Sequence, residues 1–140
     1  MGESAAVDRP APGEEAEIEV TVTDEMLVDL GGRRIHPVYA TAWMVRHMEE
    51  AGRALVERHL APGEDATGYS ISVVHERPAR PGERLRVTAT ATSADQSGCE
   101  ARVEVRGAGG LVGRGTLVQR YIKAGQLSEG GSDGVPANTD

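Results

Sequence analysis

The chain of 140 residues contains one cysteine and no phenylalanine, and it carries a net charge of −7. A single cysteine excludes an intrachain disulfide and fits a reducing compartment. The sequence shows neither the basic-then-apolar order of a secretory signal nor an apolar run of membrane-spanning length. We therefore expect one domain in the cytoplasm, without a membrane partner.

The negative charge is concentrated at the two ends of the chain. Residues 1–17 and 124–140 carry net charges of −4 and −3, so residues 18–123 are neutral. A neutral body offers no general surface for nucleic acid, and we expect no nucleic-acid partner. Both ends are rich in small and polar residues, which predicts disordered tails at 1–16 and 124–140 and a folded domain at 17–123.

Hydrophobic periodicity predicts one long helix among strands. An alternating segment at 17–23 predicts a first strand. A helix follows from Thr41 to about Leu60, with an apolar face formed by Met44, Met48, Ala51 and Leu55. Alternation then predicts four strands, near residues 68–75, 84–91, 99–106 and 111–122, with a hairpin turn at 107–110. This order indicates an α+β domain in which an antiparallel sheet wraps around the helix.

Three local patterns resemble motifs of other protein classes but lack a required feature. Residues 68–72 resemble a nucleophile elbow, yet the fifth position is serine and no helix follows. The glycine-rich segment 107–113 precedes a strand, whereas a dinucleotide fingerprint precedes a helix. The four histidines lack the spacing of zinc ligands. We expect neither a metal nor a cofactor.

Two segments hold the side chains suited to acyl transfer. Thr41 and Glu49 lie eight residues apart on the predicted helix, which places them roughly on one side and about 12 Å apart along its axis. Gly68 opens the next strand, and His75 ends it. Simpler interpretations are a helix cap for Thr41, a solvated charge for Glu49, a structural histidine and a turn glycine. The patterns alone leave both interpretations open.

Taken together, these segments resemble the fluoroacetyl-CoA thioesterase family of hotdog-fold proteins. The resemblance covers most of residues 18–122 and is carried by VYATAWMVRHMEEAG, APGEDATGYSISVVHERPARPGERLRVTATA and GRGTLVQRYI. It implies a hotdog fold, an acyl-CoA substrate and a homodimer with sites at the subunit interface. The weakly aromatic core, with only four aromatic residues, is compatible with further burial against a second subunit.

The resemblance also implies a role for each candidate residue. The threonine, glutamate and histidine of the family's catalytic set correspond to Thr41, Glu49 and His75. The glycine whose backbone N–H binds the thioester carbonyl corresponds to Gly68. A glutamate at this position can attack the carbonyl directly or activate water, and the sequence leaves both open.

Four more residues are candidate substrate contacts. Arg77 and Arg80, in the turn after the histidine strand, could bind the phosphates of coenzyme A or could be solvated turn residues. Tyr39 and Trp43 could line the acyl pocket, and Trp43 could equally belong to the core or to a subunit interface.

Two positions depart from the family pattern. Ile35 stands where the fluoroacetyl-specific enzyme has a phenylalanine lid, and Gln119 stands where an arginine is expected, with Arg120 facing the opposite side. These departures favour a broader thioesterase for small or medium acyl groups. The alternatives are a non-catalytic hotdog module that binds acyl-CoA or another hydrophobic molecule, and a hydratase of enoyl thioesters.

Overall fold

A computed structural model describes residues 7–128 of the chain. No helix in this part of the chain is long and apolar enough to cross a membrane. A short 3-10 helix at Asp24–Met26 precedes the second strand. In chain order, the strands and the α-helix are β1 Glu15–Thr21, β2 Leu27–Leu30, β3 Arg33–Tyr39, α1 Thr41–Glu57, β4 Glu64–His75, β5 Arg84–Ala94, β6 Gly98–Gly107 and β7 Gly110–Lys123.

Five strands form one antiparallel sheet that packs on α1. The strand order is β1–β5–β6–β7–β4, so β1 and β4 are the edges. The predicted hairpin joins β6 to β7, where Gly107 lies opposite Gly110. β2 and β3 pair separately as a two-stranded ribbon. The α+β hotdog arrangement expected from the sequence is therefore present.

The predicted apolar face of α1 forms the centre of the core. Met44, Met48, Ala51 and Leu55 are all completely buried. On β7, a Cβ atom added to Gly113 would overlap the Met44 sulfur, so only glycine permits this approach. The small side chains of the inner sheet face therefore allow α1 to lie close to the strands.

The ends of two elements differ from the sequence-based prediction. The helix ends at Glu57 instead of near Leu60. β4 begins four residues earlier than expected and contains a register shift between Gly68 and Ser70. Strict alternation would put Tyr69 on the same face as Ile71 and Val73, but Tyr69 lies at the bulge and is 63% exposed.

The β2–β3 ribbon was absent from the sequence-based prediction. Its turn is formed by Gly31 and Gly32, whose φ angles of +60° and +80° favour glycine. Pro37 lies within β3, and the pairing shifts register twice, so the strands lack a regular alternation. The last residue of the ribbon, Tyr39, leads directly into α1 and places the start of the helix.

The segment before β1 is fastened to the domain by Arg9 and His59. The Arg9 guanidinium binds Glu64 through both oxygens, at 3.0 and 2.7 Å, and lies 3.5 Å from the centroid of the Tyr121 ring. His59, just after α1, lies 2.7 Å from the Asp8 carboxylate. Arg9 therefore ties this segment to β4 and β7, and Glu15 and Ala16 belong to β1, although the sequence placed residues 1–16 in a tail. Residues 1–6 and 129–140 lie outside the described residues.

The contacts of His59 with this segment contribute a pH-dependent amount to the stability of the protein. Its Nε2 atom lies 2.8 Å from Glu14, and the carboxylates of Glu14 and Asp8 raise the pKa of His59 above its ordinary value of 6.5. Its contribution to stability is complete below that value and is lost as the pH rises through the raised pKa. Hydrogen bonding to His59 lowers the pKa of Glu14 from its ordinary value of 4.5. The stability that the Glu14 carboxylate contributes is therefore lost as the pH falls through the lowered pKa.

We predict that His59→Gln destabilises the protein most between pH 4.5 and 6.5, where both contributions are complete. The expected loss in the free energy of unfolding is about 1 kcal/mol. Denaturant unfolding across pH measures it, with His36→Gln at an exposed position of β3 as the control. Equal losses for His59→Gln at pH 5.5 and pH 9 would contradict the prediction.

Candidate active site

Thr41 and His75 form a direct hydrogen bond. The Oγ1 atom of Thr41, the first residue of α1, lies 2.8 Å from Nδ1 of His75, the last residue of β4. The helix cap is Ala40, which has no side-chain capping bond, so capping is not the role of the Thr41 hydroxyl. The start of α1 and the end of β4 thus bring a hydroxyl and an imidazole together.

The other nitrogen of the His75 ring has no partner. Its Nε2 atom is buried and makes no hydrogen bond with any residue in the 7–128 range. Burial lowers the pKa of His75, and a weaker interaction with the Arg77 backbone opposes that shift. The imidazole is therefore neutral near neutral pH, with one nitrogen held and one available for proton transfer.

Glu49 lies directly against Gly68. A Cβ atom added to Gly68 would be only 2.7 Å from Glu49 Oε2, which is closer than real Cβ contacts allow. Both residues line an open concavity of about 400 Å³ between α1, β4 and β7. A larger concavity of about 550 Å³, between β1, β5 and β6, contains none of the predicted catalytic residues. The absence of a side chain at Gly68 is what admits the carboxylate.

The four predicted residues form two separate pairs within one chain. Thr41 and His75 are absent from the residues that line the concavity at Glu49. The pairs are separated by eight residues along α1, about 12 Å of helix. Both Thr41 and Glu49 are exposed. A single chain therefore presents a hydroxyl–imidazole pair and a carboxylate–glycine pair at different points along β4.

Gln119 contributes a buried amide to the concavity at Glu49. The residue is 5% exposed, lies opposite Gly68 in the strand pairing, and has an Oε1 atom without a hydrogen-bond partner in the described chain. Arg120 faces the other side of the sheet, as expected, with its guanidinium 3.9 Å from the centroid of the Tyr69 ring. The position where the family has an arginine therefore holds a neutral polar group.

Tyr39 and Trp43 flank a histidine that sequence analysis did not select. Tyr39 is fully buried behind His75, with the two rings edge to face at 6.1 Å. Its hydroxyl lies 2.5 Å from Nδ1 of His47, a residue that is only 4% exposed. Trp43 is partly buried and contacts the other side of His47, with ring centroids 5.7 Å apart. The one sequence signal for His47 was its place on the apolar face of α1.

The two candidate phosphate contacts differ in their surroundings. The Arg77 guanidinium forms a 2.7 Å ion pair with Glu83 and binds the carbonyls of Pro78 and Gly110. Arg80 is exposed, and its guanidinium forms no ion pair or hydrogen bond within residues 7–128. Arg77 thus holds the turn together, while the charge of Arg80 is available to a ligand.

Comparison with known families identifies one match over most of the chain. The family model described as FlK, fluoroacetyl-CoA-specific thioesterase, matches residues 22–124. A search of curated protein sequences found no match. The matched range includes the three predicted catalytic residues, Gly68 and the β2–β3 ribbon.

Solved structures of similar fold include known thioesterases. A hypothetical protein of Thermus thermophilus, described as a thioesterase superfamily member, is 38% identical with a TM-score of 0.79, over 84% of this chain and 87% of the other. A threonine-to-serine mutant of FlK in complex with acetyl-CoA is 26% identical with a TM-score of 0.75, over 80% and 89%. A hot-dog-like protein from Thermanaerovibrio acidaminovorans shares the fold at 16% identity, with a TM-score of 0.75 over 83% and 86%.

We predict that Gly68→Ala displaces the Glu49 carboxylate by about 1 Å, the shift needed to restore an ordinary contact distance. The unfolding temperature should stay the same or rise slightly, because only the flexible end of Glu49 must move and the entropy cost of glycine is removed. A crystal structure of the variant and a thermal melt measure both effects, with Ser70→Ala as the control. If the Glu49 carboxylate does not move in the variant, the close contact between Glu49 and Gly68 is contradicted.

Proposed function

Because the chain belongs to the fluoroacetyl-CoA-specific thioesterase family, we propose that it hydrolyses an acyl-CoA thioester to the free acid and coenzyme A. The observation that carries this proposal is the 2.8 Å bond between Thr41 and His75, formed on the same helix and strand that bring Glu49 against Gly68. Hydroxyl, imidazole, carboxylate and backbone amide are the groups that acyl transfer to water requires.

Each proposed catalytic group acts on a different atom of the reaction. Attack on the thioester carbonyl creates an oxyanion, which the backbone N–H of Gly68 stabilises. Glu49 either removes the proton from the attacking water or attacks the carbonyl itself. His75 takes up through Nε2 the proton that water releases and passes it to the departing sulfur, while Thr41 holds its Nδ1. Water supplies the oxygen of the acid, and the carbon–sulfur bond breaks to give the thiol.

The complete site is proposed to form between two copies of the chain. β4 is an edge strand whose outward-facing backbone groups have no neighbouring strand within residues 7–128. Antiparallel pairing of β4 with its copy about a two-fold axis midway between Gly68 and His75 places these two residues opposite each other, where inner-face side chains lie about 5 Å apart. The Thr41–His75 pair of one subunit then meets the Glu49–Gly68 pair of the other.

The acyl group is proposed to be small or medium, without selectivity for fluoroacetate. Ile35, at the family's lid position, lacks the aromatic ring, and Gln119 places a neutral amide beside Glu49. Arg80 is the better candidate for the phosphates of coenzyme A, since Arg77 is already paired with Glu83. The same two departures motivate the second candidate, a non-catalytic module that binds acyl-CoA.

A coenzyme-A release assay over a panel of acyl-CoA esters tests the activity. We expect Glu49→Ala to lower kcat by at least about a hundredfold, the usual contribution of such a group. The control is Glu50→Ala, since Glu50 is a neighbouring surface residue paired with Arg46 at 3.2 Å. If no thioester is cleaved faster by wild type than by Glu49→Ala, the catalytic proposal fails; tight acyl-CoA binding without turnover would then establish the binding module.

Mixing two inactive variants tests the shared site. One carries Thr41→Ala with His75→Ala, and the other carries Glu49→Ala. A mixed dimer should contain one intact site and recover up to about half of the wild-type activity, because the intact pairs come from different subunits. The measurement is turnover after co-expression with two affinity tags and isolation of the mixed species. Inactive mixed dimers would place all the groups of a site in one subunit.

A further inference from the structure

Tyr39 and His47 form a buried polar pair that the proposed chemistry leaves unused. The Tyr39 hydroxyl lies 2.5 Å from His47 Nδ1, and the two rings are nearly parallel, at 8° with centroids 5.8 Å apart. Tyr39 is completely buried and His47 is 4% exposed. Two apolar side chains of similar volume would fill this space without the desolvation cost of a hydroxyl and an imidazole. Packing alone therefore does not explain why this position holds a hydroxyl and an imidazole.

The direction of this hydrogen bond follows from the surroundings. Burial raises the pKa of the Tyr39 phenol far above its ordinary value, so the phenol keeps its proton and donates it. Burial also lowers the pKa of His47, with nearby Glu50 and Arg46 acting in opposite directions, so the imidazole is neutral and accepts at Nδ1. The bond joins the end of β3 to the middle of α1.

Tyr39 also lies against the ring of His75. The two rings meet edge to face, at 82° and with centroids 6.1 Å apart. Tyr39 and Thr41 flank the helix cap Ala40, so residues on both sides of the cap contact His75, one through a ring and the other through a hydroxyl. The backbone N–H of Tyr39 is anchored 2.8 Å from the Ala79 carbonyl, in the loop after β4. With the backbone held, the bond to His47 sets the orientation of the Tyr39 ring.

We propose that His47 is a positioning residue for His75. Through its hydrogen bond to Tyr39, it holds the tyrosine ring in the edge contact that directs His75 Nδ1 to Thr41 and leaves Nε2 free for the leaving thiolate. This role rests on the proposed thioesterase activity. It adds a residue outside the set of groups that touch the substrate.

Three substitutions test the role. His47→Leu removes the acceptor, Tyr39→Phe removes the donor but keeps the ring, and His47→Asn keeps an acceptor near the position of Nδ1. We expect the first two to lower kcat by about ten- to a hundredfold, as small displacements of catalytic groups do, with KM within about twofold of wild type. His47→Asn should recover most of the loss. His36→Leu, at an exposed position of β3, is the control.

A second measurement does not depend on turnover. The ring signals of His75 in an NMR titration should shift in His47→Leu and in Tyr39→Phe, and should stay unchanged in the control. The proposal would be overturned if the two variants kept the wild-type kcat per folded molecule and showed unchanged His75 signals. It would also be overturned if the variants lost only stability. If the wild-type protein cleaves no acyl-CoA, the proposed function fails, whereas the NMR comparison still decides whether His47 orients His75.

Discussion

Both halves of the candidate site depend on how closely α1 lies against the sheet. Gly113 makes room for the Met44 sulfur, and Gly68 makes room for the Glu49 carboxylate. The buried hydrophobic side chains of β5 and β6 are alanine, valine, leucine and cysteine, which leave room for the helix. The same approach sets Thr41 within hydrogen-bonding distance of the strand end. A larger side chain between helix and sheet would therefore disturb the hydroxyl–imidazole pair and the carboxylate–glycine pair together, even from a position that touches neither.

The regular parts of the fold were predictable because their patterns are local. The apolar face of α1 and the alternation of β5, β6 and β7 follow directly from helix and strand periods. The β2–β3 ribbon was not predictable in this way, since Pro37 and the irregular pairing remove its alternation. The bulge at Tyr69 depends on the register between β4 and β7, which no single segment encodes. Pairing across the sheet decides such features, and pairing is a property of the whole chain.

The candidate site shows the same division between local pattern and three-dimensional arrangement. The residue types together with the family resemblance selected Thr41, Glu49 and His75, but they did not reveal which residue of β4 each helix residue contacts. Those contacts depend on how β4 runs along α1, which brings His75 to Thr41 and Gly68 to Glu49. His47 was overlooked because a lone histidine on an apolar helical face has no spacing signature. Only its contact with the Tyr39 hydroxyl shows that it is more than a core residue.

The burial of Cys99 has a consequence for the redox chemistry of the protein. The thiol is 1% exposed, and burial raises its pKa to about 11. The thiolate is the form that reacts with oxidants and disulfides, and it is scarce at neutral pH under these conditions. The only sulfhydryl of the chain is therefore shielded both sterically and by its protonation state. The thiol is therefore poorly placed to form a covalent cross-link between chains, and oxidants have little access to it.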